Sequence, residues 1–70
     1  MRQWDAGDIG CGHFIMQLHS RVKDLQPGET LEVLARDPGV PSDLPAWCRM
    51  TGNALVSAEP PVFVIRKAEA

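Results

Sequence analysis

One amphipathic stretch, closed off by glycine on both sides, constrains this chain most. Upstream lies Asp5-Ala6-Gly7-Asp8-Ile9-Gly10-Cys11-Gly12, rich in glycine and aspartate and therefore a loop. From His13 the pattern turns helical. Cys11, Ile15, Leu18, Val22 and Leu25 recur at steps of four, three, four and three, which places them on one stripe of a helix. Gln26-Pro27-Gly28 then stops that helix. One stripe of this kind needs a second layer to bury it, and the residues on either side supply strands. A brief strand is expected near Arg2–Asp5. Thr30-Leu31-Glu32-Val33-Leu34-Ala35 is β-rich and alternates at its start, so a strand is expected there too.

The second half repeats the logic with different punctuation. Arg36-Asp37-Pro38-Gly39 reads as a turn with proline and glycine in type II order. Ser42 or Asp43 is placed to cap a second helix from Leu44 to about Thr51. Pro45 is tolerated in its first turn because the amides there have no partners. Gly52 stands where a left-handed helix end needs it. Asn53–Ala58 and Val62–Lys67 read as two further strands, joined irregularly through Glu59-Pro60-Pro61. The expected fold class is α+β: a two-layer β-α-β-α-β-β sandwich with two helices on one face of a four-stranded mixed sheet. All 70 residues are expected to form one domain.

Size and composition narrow the function. A chain of 70 residues buries only about 60% of its unfolded surface. No deep substrate cavity is expected, and chemistry belongs at the surface with a partner completing the site. Seven Lys+Arg face nine Asp+Glu, for a net charge of −2, and the basic residues are scattered among acids. A nucleic-acid binder carries a basic face, and with no tyrosine and only Trp4, Trp47, Phe14 and Phe63 there is no stacking platform for bases. No direct nucleic-acid contact is expected. No basic start followed by an apolar run reads as a signal peptide, and no run of about 18 apolar residues would span a membrane. The expected compartment is the cytoplasm, where thiols stay reduced.

Cys11 is the informative residue. It lies where the glycine-rich loop enters the first helix, where unpaired amides and the helix dipole favour negative charge. A thiolate is stabilised there, and the thiolate is the nucleophile. Gly10 and Gly12 remove bulk on both sides. The competing reading is structural, since cysteine is often buried and Cys11 falls on the apolar stripe. His13, two residues on, does not face Cys11 across a helix, yet it adds local positive potential. Cys11, His13 and Cys48 lack a CxxC pair and a clear fourth ligand, so no metal is expected. Asp5 and Asp8 read as turn formers. Cys48 reads as a core residue of the second helix, beside Leu44 and Trp47.

With these elements in place, the chain resembles the TusA/SirA-like family of small sulfur-carrier proteins from about Trp4 to Lys67. Leu25-Gln26-Pro27-Gly28-Glu29-Thr30-Leu31-Glu32-Val33 is similar to the family's helix-to-strand junction. Asp37-Pro38-Gly39 and Asp43-Leu44-Pro45-Ala46-Trp47-Cys48 are similar to the approach to its second helix, and Val64-Ile65-Arg66-Lys67 to its last strand. The family's marker is an aspartate, a glycine three residues later, and Cys-Pro-x-Pro three residues after that. Asp5 and Cys11 match at the right separation. Asp8 stands at the glycine position with Gly7 adjacent, Gly12 replaces the first proline and Phe14 the second. Glycine in place of that proline loosens the first turn by roughly 1 kcal/mol but leaves an amide that can donate to sulfur. Phe14 is expected to add apolar surface beside Cys11.

The resemblance implies a persulfide relay on Cys11, supported by Asp5, Gly10, Gly12 and His13. A donor such as a cysteine desulfurase or a rhodanese-like protein would supply sulfane sulfur, and an acceptor protein would take it. No cofactor and no membrane are implied, and a monomer is expected. Two other readings stay open at this point: an interaction or regulatory module that keeps the fold without the relay, and a redox or metal sensor that uses Cys11 and Cys48.

Overall fold

The computed structural model describes residues 2–69, with every side chain among them except that of Cys11. The elements follow the order β1 (Arg2–Gly7), α1 (Cys11–Lys23), β2 (Thr30–Ala35), α2 (Val40–Thr51), β3 (Ala54–Glu59) and β4 (Val62–Arg66). The strands form one sheet in the order β1-β2-β4-β3. β1 and β2 run parallel, joined by the α1 crossover, while β4 pairs antiparallel with both β2 and β3. The sheet is mixed and the class is α+β, as expected.

Alternation along the strands decides which face is covered. Trp4 and Ala6 of β1, Leu31, Val33 and Ala35 of β2, and Phe63 and Ile65 of β4 are buried in one cluster with the helices. Gln3, Asp5, Glu32 and Leu34 point to the other face, which is open. α2 contributes Val40, Leu44, Trp47 and Cys48, a stripe at helical spacing. Each large side chain withdrawn from water in this way stabilises the fold by about 1.5–3 kcal/mol.

Leu18, Val22 and Leu25 of the expected stripe turn inward, but the first turn of α1 is anchored by Phe14 and not by Ile15. Phe14, Leu18 and Val22 are buried, followed by Leu25 beyond the helix end, while Ile15 is only half-buried at the flank. Phe14 therefore adds no apolar surface beside Cys11, because it is wholly inside. The expected place of Cys11 on the stripe concerns a side chain outside the described residues.

The two Pro-Gly pairs differ in a way the dipeptide alone does not reveal. At Pro27-Gly28 the Glu29 amide donates to the Gln26 carbonyl (2.9 Å) and Gly28 has φ +82°, the positive value that a type II turn requires. At Pro38-Gly39 the Val40 amide donates to the Asp37 carbonyl (3.1 Å), but Gly39 has φ −78° and ψ −20°. The expected type II turn is therefore not formed there. Gly39 is already right-handed, so it leads directly into a helix, and α2 starts at Val40 rather than Leu44. Pro41 in its first turn carries no amide that would have needed a partner. The far ends close as their residues suggest. Gly52 is left-handed at φ 80° after α2. The Lys67 ammonium donates to the carbonyls of Lys23 (2.9 Å) and Leu25 (2.7 Å), a positive charge at the negative end of α1.

Candidate functional site

The loop between β1 and α1 is shaped from its acidic end. The Gly7 amide donates to Asp5 Oδ1 (2.8 Å), and Gly7 takes φ +60°, a left-handed value that glycine adopts without penalty. The same carboxylate faces Arg36 Nη1 at 3.6 Å, an exposed pair worth little by itself. The Arg36 amide also donates to the Gly7 carbonyl (3.1 Å), so the end of β2 holds the loop as well. The Ile9 amide then returns to the Ala6 carbonyl (3.3 Å), and Gly10 follows as the extended residue before the helix, at φ −62° and ψ 151°.

α1 begins at Cys11, in the first helical position. The first intrahelical bond runs from the Phe14 amide to the Gly10 carbonyl at 2.8 Å. The amides of Cys11, Gly12 and His13 therefore have no partner within the helix. No acidic side chain stands in this first turn and none caps it. Gly12 is exposed, and a Cβ built on Gly10 or Gly12 would meet nothing within 4 Å. His13 is exposed. This is a helix mouth with open space at its two glycines and with backbone donors that the helix itself does not use, an arrangement that stabilises an anion such as a thiolate or persulfide.

The structure brings Gly10, Cys11, Gly12 and His13 together by sequence. Asp5 is placed apart from them: it lies on the open face of the sheet and acts on the loop through Gly7 and Arg36. Cys48 belongs to another environment. It is a free thiol, 3% exposed in the core beside Leu44 and Trp47, and burial pushes its pKa above the ordinary thiol value. A protonated thiol enclosed by apolar side chains is a poor nucleophile. His13, exposed at the start of α1, does not share that enclosure. Among the described residues no three His, Cys, Asp or Glu side chains gather to hold a metal.

Two features escaped the sequence reading. One is an apolar groove of about 530 Å³ between the helices, lined by Ile15, Met16, His19, Trp47, Met50 and Thr51. It continues along Ala46 and Asp43 to Gly12, next to Cys11. Met16 and Met50 are 71% and 80% exposed on it. The sequence places Met16 off the inward stripe of α1, but nothing in it brings Met16 and Met50 together. The other is a stack beneath the helix mouth. The rings of Trp4 and Phe14 are nearly parallel (8°) with centroids 5.4 Å apart, and the Arg21 guanidinium lies over the Trp4 ring at 4.6 Å.

Comparison with known proteins decides the family. A family model described as "Sulfurtransferase TusA" matches residues 3–67, nearly the whole chain. The chain belongs to the TusA family. It is similar to proteins named "Sulfur carrier protein TusA" from Pseudomonas paraeruginosa and from two strains of Pseudomonas aeruginosa. Each is 40% identical over 55 residues, covering 79% of this chain and 70% of the relative. Within this TusA-family chain, the helix mouth is built from Gly10, Cys11, Gly12 and His13. Among the described residues no helix is long and apolar enough to cross a membrane.

Proposed function

We propose that this protein is a sulfur carrier that holds sulfane sulfur as a persulfide on Cys11. The observation that carries this is the position of Cys11: first residue of α1, between two glycines, at the unpaired amides of the helix start. The names of its relatives support the same reading. In loading, the Cys11 thiolate attacks the outer sulfur of a donor persulfide. A new S–S bond forms on Cys11, the donor's S–S bond breaks, and the donor cysteine leaves as thiolate. The proton travels with the transferred sulfur, and no oxidant or reductant is consumed. In unloading, an acceptor nucleophile attacks that outer sulfur and Cys11 leaves as thiolate.

Gly10 and Gly12 leave room for the added atom and for the approaching partner. The amides of the first turn stabilise the thiolate as nucleophile and as leaving group. Asp5 supports the site by holding the loop, and His13 by adding positive potential. The donor is a protein bearing a cysteine persulfide, such as a cysteine desulfurase or a rhodanese-like protein, and the acceptor is a second protein. The exposed Met50 beside Gly12, with Met16 further along the same groove, supports a protein donor, because thioether side chains adapt to a partner's apolar surface. A reducing compartment, the cytoplasm, suits a cysteine that must cycle between thiolate and persulfide.

Incubation with a cysteine desulfurase and cysteine, followed by non-reducing intact mass, tests the proposal. The expected product is heavier by one sulfur atom, and Met50→Glu slows its formation. No mass gain, where a control carrier loads from the same donor, contradicts the carrier reading. An unchanged rate in Met50→Glu removes the groove from donor docking.

A further inference from the structure

The first turn of α1 has little to hold it. It opens with Gly10-Cys11-Gly12, has no side-chain cap and carries no acidic residue. Glycine at Gly12 weakens the turn further, because it gives up the most backbone freedom on ordering. Yet the Phe14 amide makes a short bond to the Gly10 carbonyl, 2.8 Å, so the turn does close. Phe14 is the first residue after Cys11 that is anchored elsewhere: its side chain is 0% exposed and stacked on Trp4 of β1. Arg21, seven residues further along α1, covers the same indole. Seven residues are about 10.5 Å of helical rise, which leaves room for the indole between the two side chains. The contact thus grips α1 at two points, two turns apart, and ties both to β1.

We propose that the Phe14–Trp4–Arg21 stack is the positioning device of the carrier site. It fixes the first turn of α1, and with it the unpaired amides around Cys11, in a chain whose helix mouth has glycine where a rigid residue would serve. This rests on the sulfur-carrier reading for its purpose, but its physical content is the thiolate stability of Cys11. Phe14 and Trp4 touch no substrate and act through the backbone.

The test is the pH profile of Cys11 alkylation by iodoacetamide, read by peptide mass so that Cys48 is counted separately. Asp8 and His13 near Cys11, and Asp43 of α2, which lines the groove with Gly12, are retained in every variant. Phe14→Leu keeps apolar bulk and removes the stack. Its profile is expected to move to higher pH, with the rate at neutral pH falling about two- to fivefold, the range of a helix-terminus charge interaction. Val22→Ala, a core truncation two turns below, is expected to lower thermal stability and leave the profile in place. If Phe14→Leu does not fold, Arg21→Met at the exposed end of the stack carries the same test with a smaller displacement in the same direction. Profiles of the stack variants that superimpose on wild type, or a Val22→Ala profile displaced as far as that of Phe14→Leu, overturn the proposal. Because alkylation needs no sulfur donor, a wild type that never takes up sulfur would sink the carrier reading without touching this result, and the reverse also holds.

Discussion

The two helices begin in opposite ways. α2 starts with its residues committed: Gly39 donates to Asp37 Oδ2 (3.0 Å), the Val40 amide to the Asp37 carbonyl, Val40 is wholly buried, and Pro41 stiffens the first turn. α1 starts with glycine on both sides of its first residue, no cap, and open space around the backbone. The cysteines differ in step. Cys48 lies in the well-anchored helix, enclosed and with its thiol held protonated. Cys11 lies at the bare start. On the proposed relay, a carrier must hold its sulfur where two different partners can reach it, a need that the open start of α1 meets and the enclosure of Cys48 does not. Stability is drawn from the rest.

The sharpest way to break this comparison is to remove what anchors α1 from beneath. Phe14→Ala leaves a cavity against Trp4 and is expected to cost about 3–5 kcal/mol. In a domain of this size that lowers Tm by on the order of 12 °C or more by calorimetry. A small loss would mean that the first turn of α1 is held by something else. Next in size is the start of α2. Asp37→Ala removes the side-chain bond to the Gly39 amide and is expected to cost about 1 kcal/mol in urea unfolding, as for loss of a helix cap. The mirror change at α1 has the opposite sign: Gly12→Pro in the first turn is expected to stabilise by about 0.4–1 kcal/mol, chiefly by restricting the unfolded chain. A stabilising proline at α1 beside a destabilising loss at α2 would sharpen the contrast between a slack start and a taut one.

How much of this was legible in the sequence depends on whether the deciding contact was local. The strand Thr30–Ala35 and the left-handed Gly52 follow from alternation and from glycine's freedom, and both are where the residues put them. The Pro-Gly pairs were not separable, because both turn types accept the dipeptide. What distinguishes Gly39 is that a helix follows at once, with Val40 drawn into the core. The stripe of α1 was ambiguous for a similar reason. Phe14 and Ile15 both lie at helical spacing from Leu18, and the choice is made by Trp4, ten residues earlier on another element. The place of Cys11 at the entrance of α1 was legible because a cysteine between two glycines before a helical pattern is a local signal. The groove of Met16 and Met50 was not, since it exists only once α1 and α2 are side by side.

The smallest effect concerns the enclosed thiol. Burial raises the Cys48 pKa, so the folded state keeps its proton at a pH where the unfolded chain releases it. The associated stability is complete below the unfolded thiol pKa, near 9.0, and is lost as pH rises from there through the folded value. Cys48→Ala is expected to flatten this alkaline decline in urea titrations. An unchanged decline would show that another group titrates instead.

The most direct measurement locates the sulfur. Wild type, Cys11→Ser and Cys48→Ser are incubated with a cysteine desulfurase and cysteine, alkylated without reductant, and mapped by peptide mass. The expected result is one added sulfur on the Cys11 peptide of wild type and Cys48→Ser, and none in Cys11→Ser. Sulfur found on Cys48, or retained in Cys11→Ser, would contradict the assignment of the relay to the open start of α1.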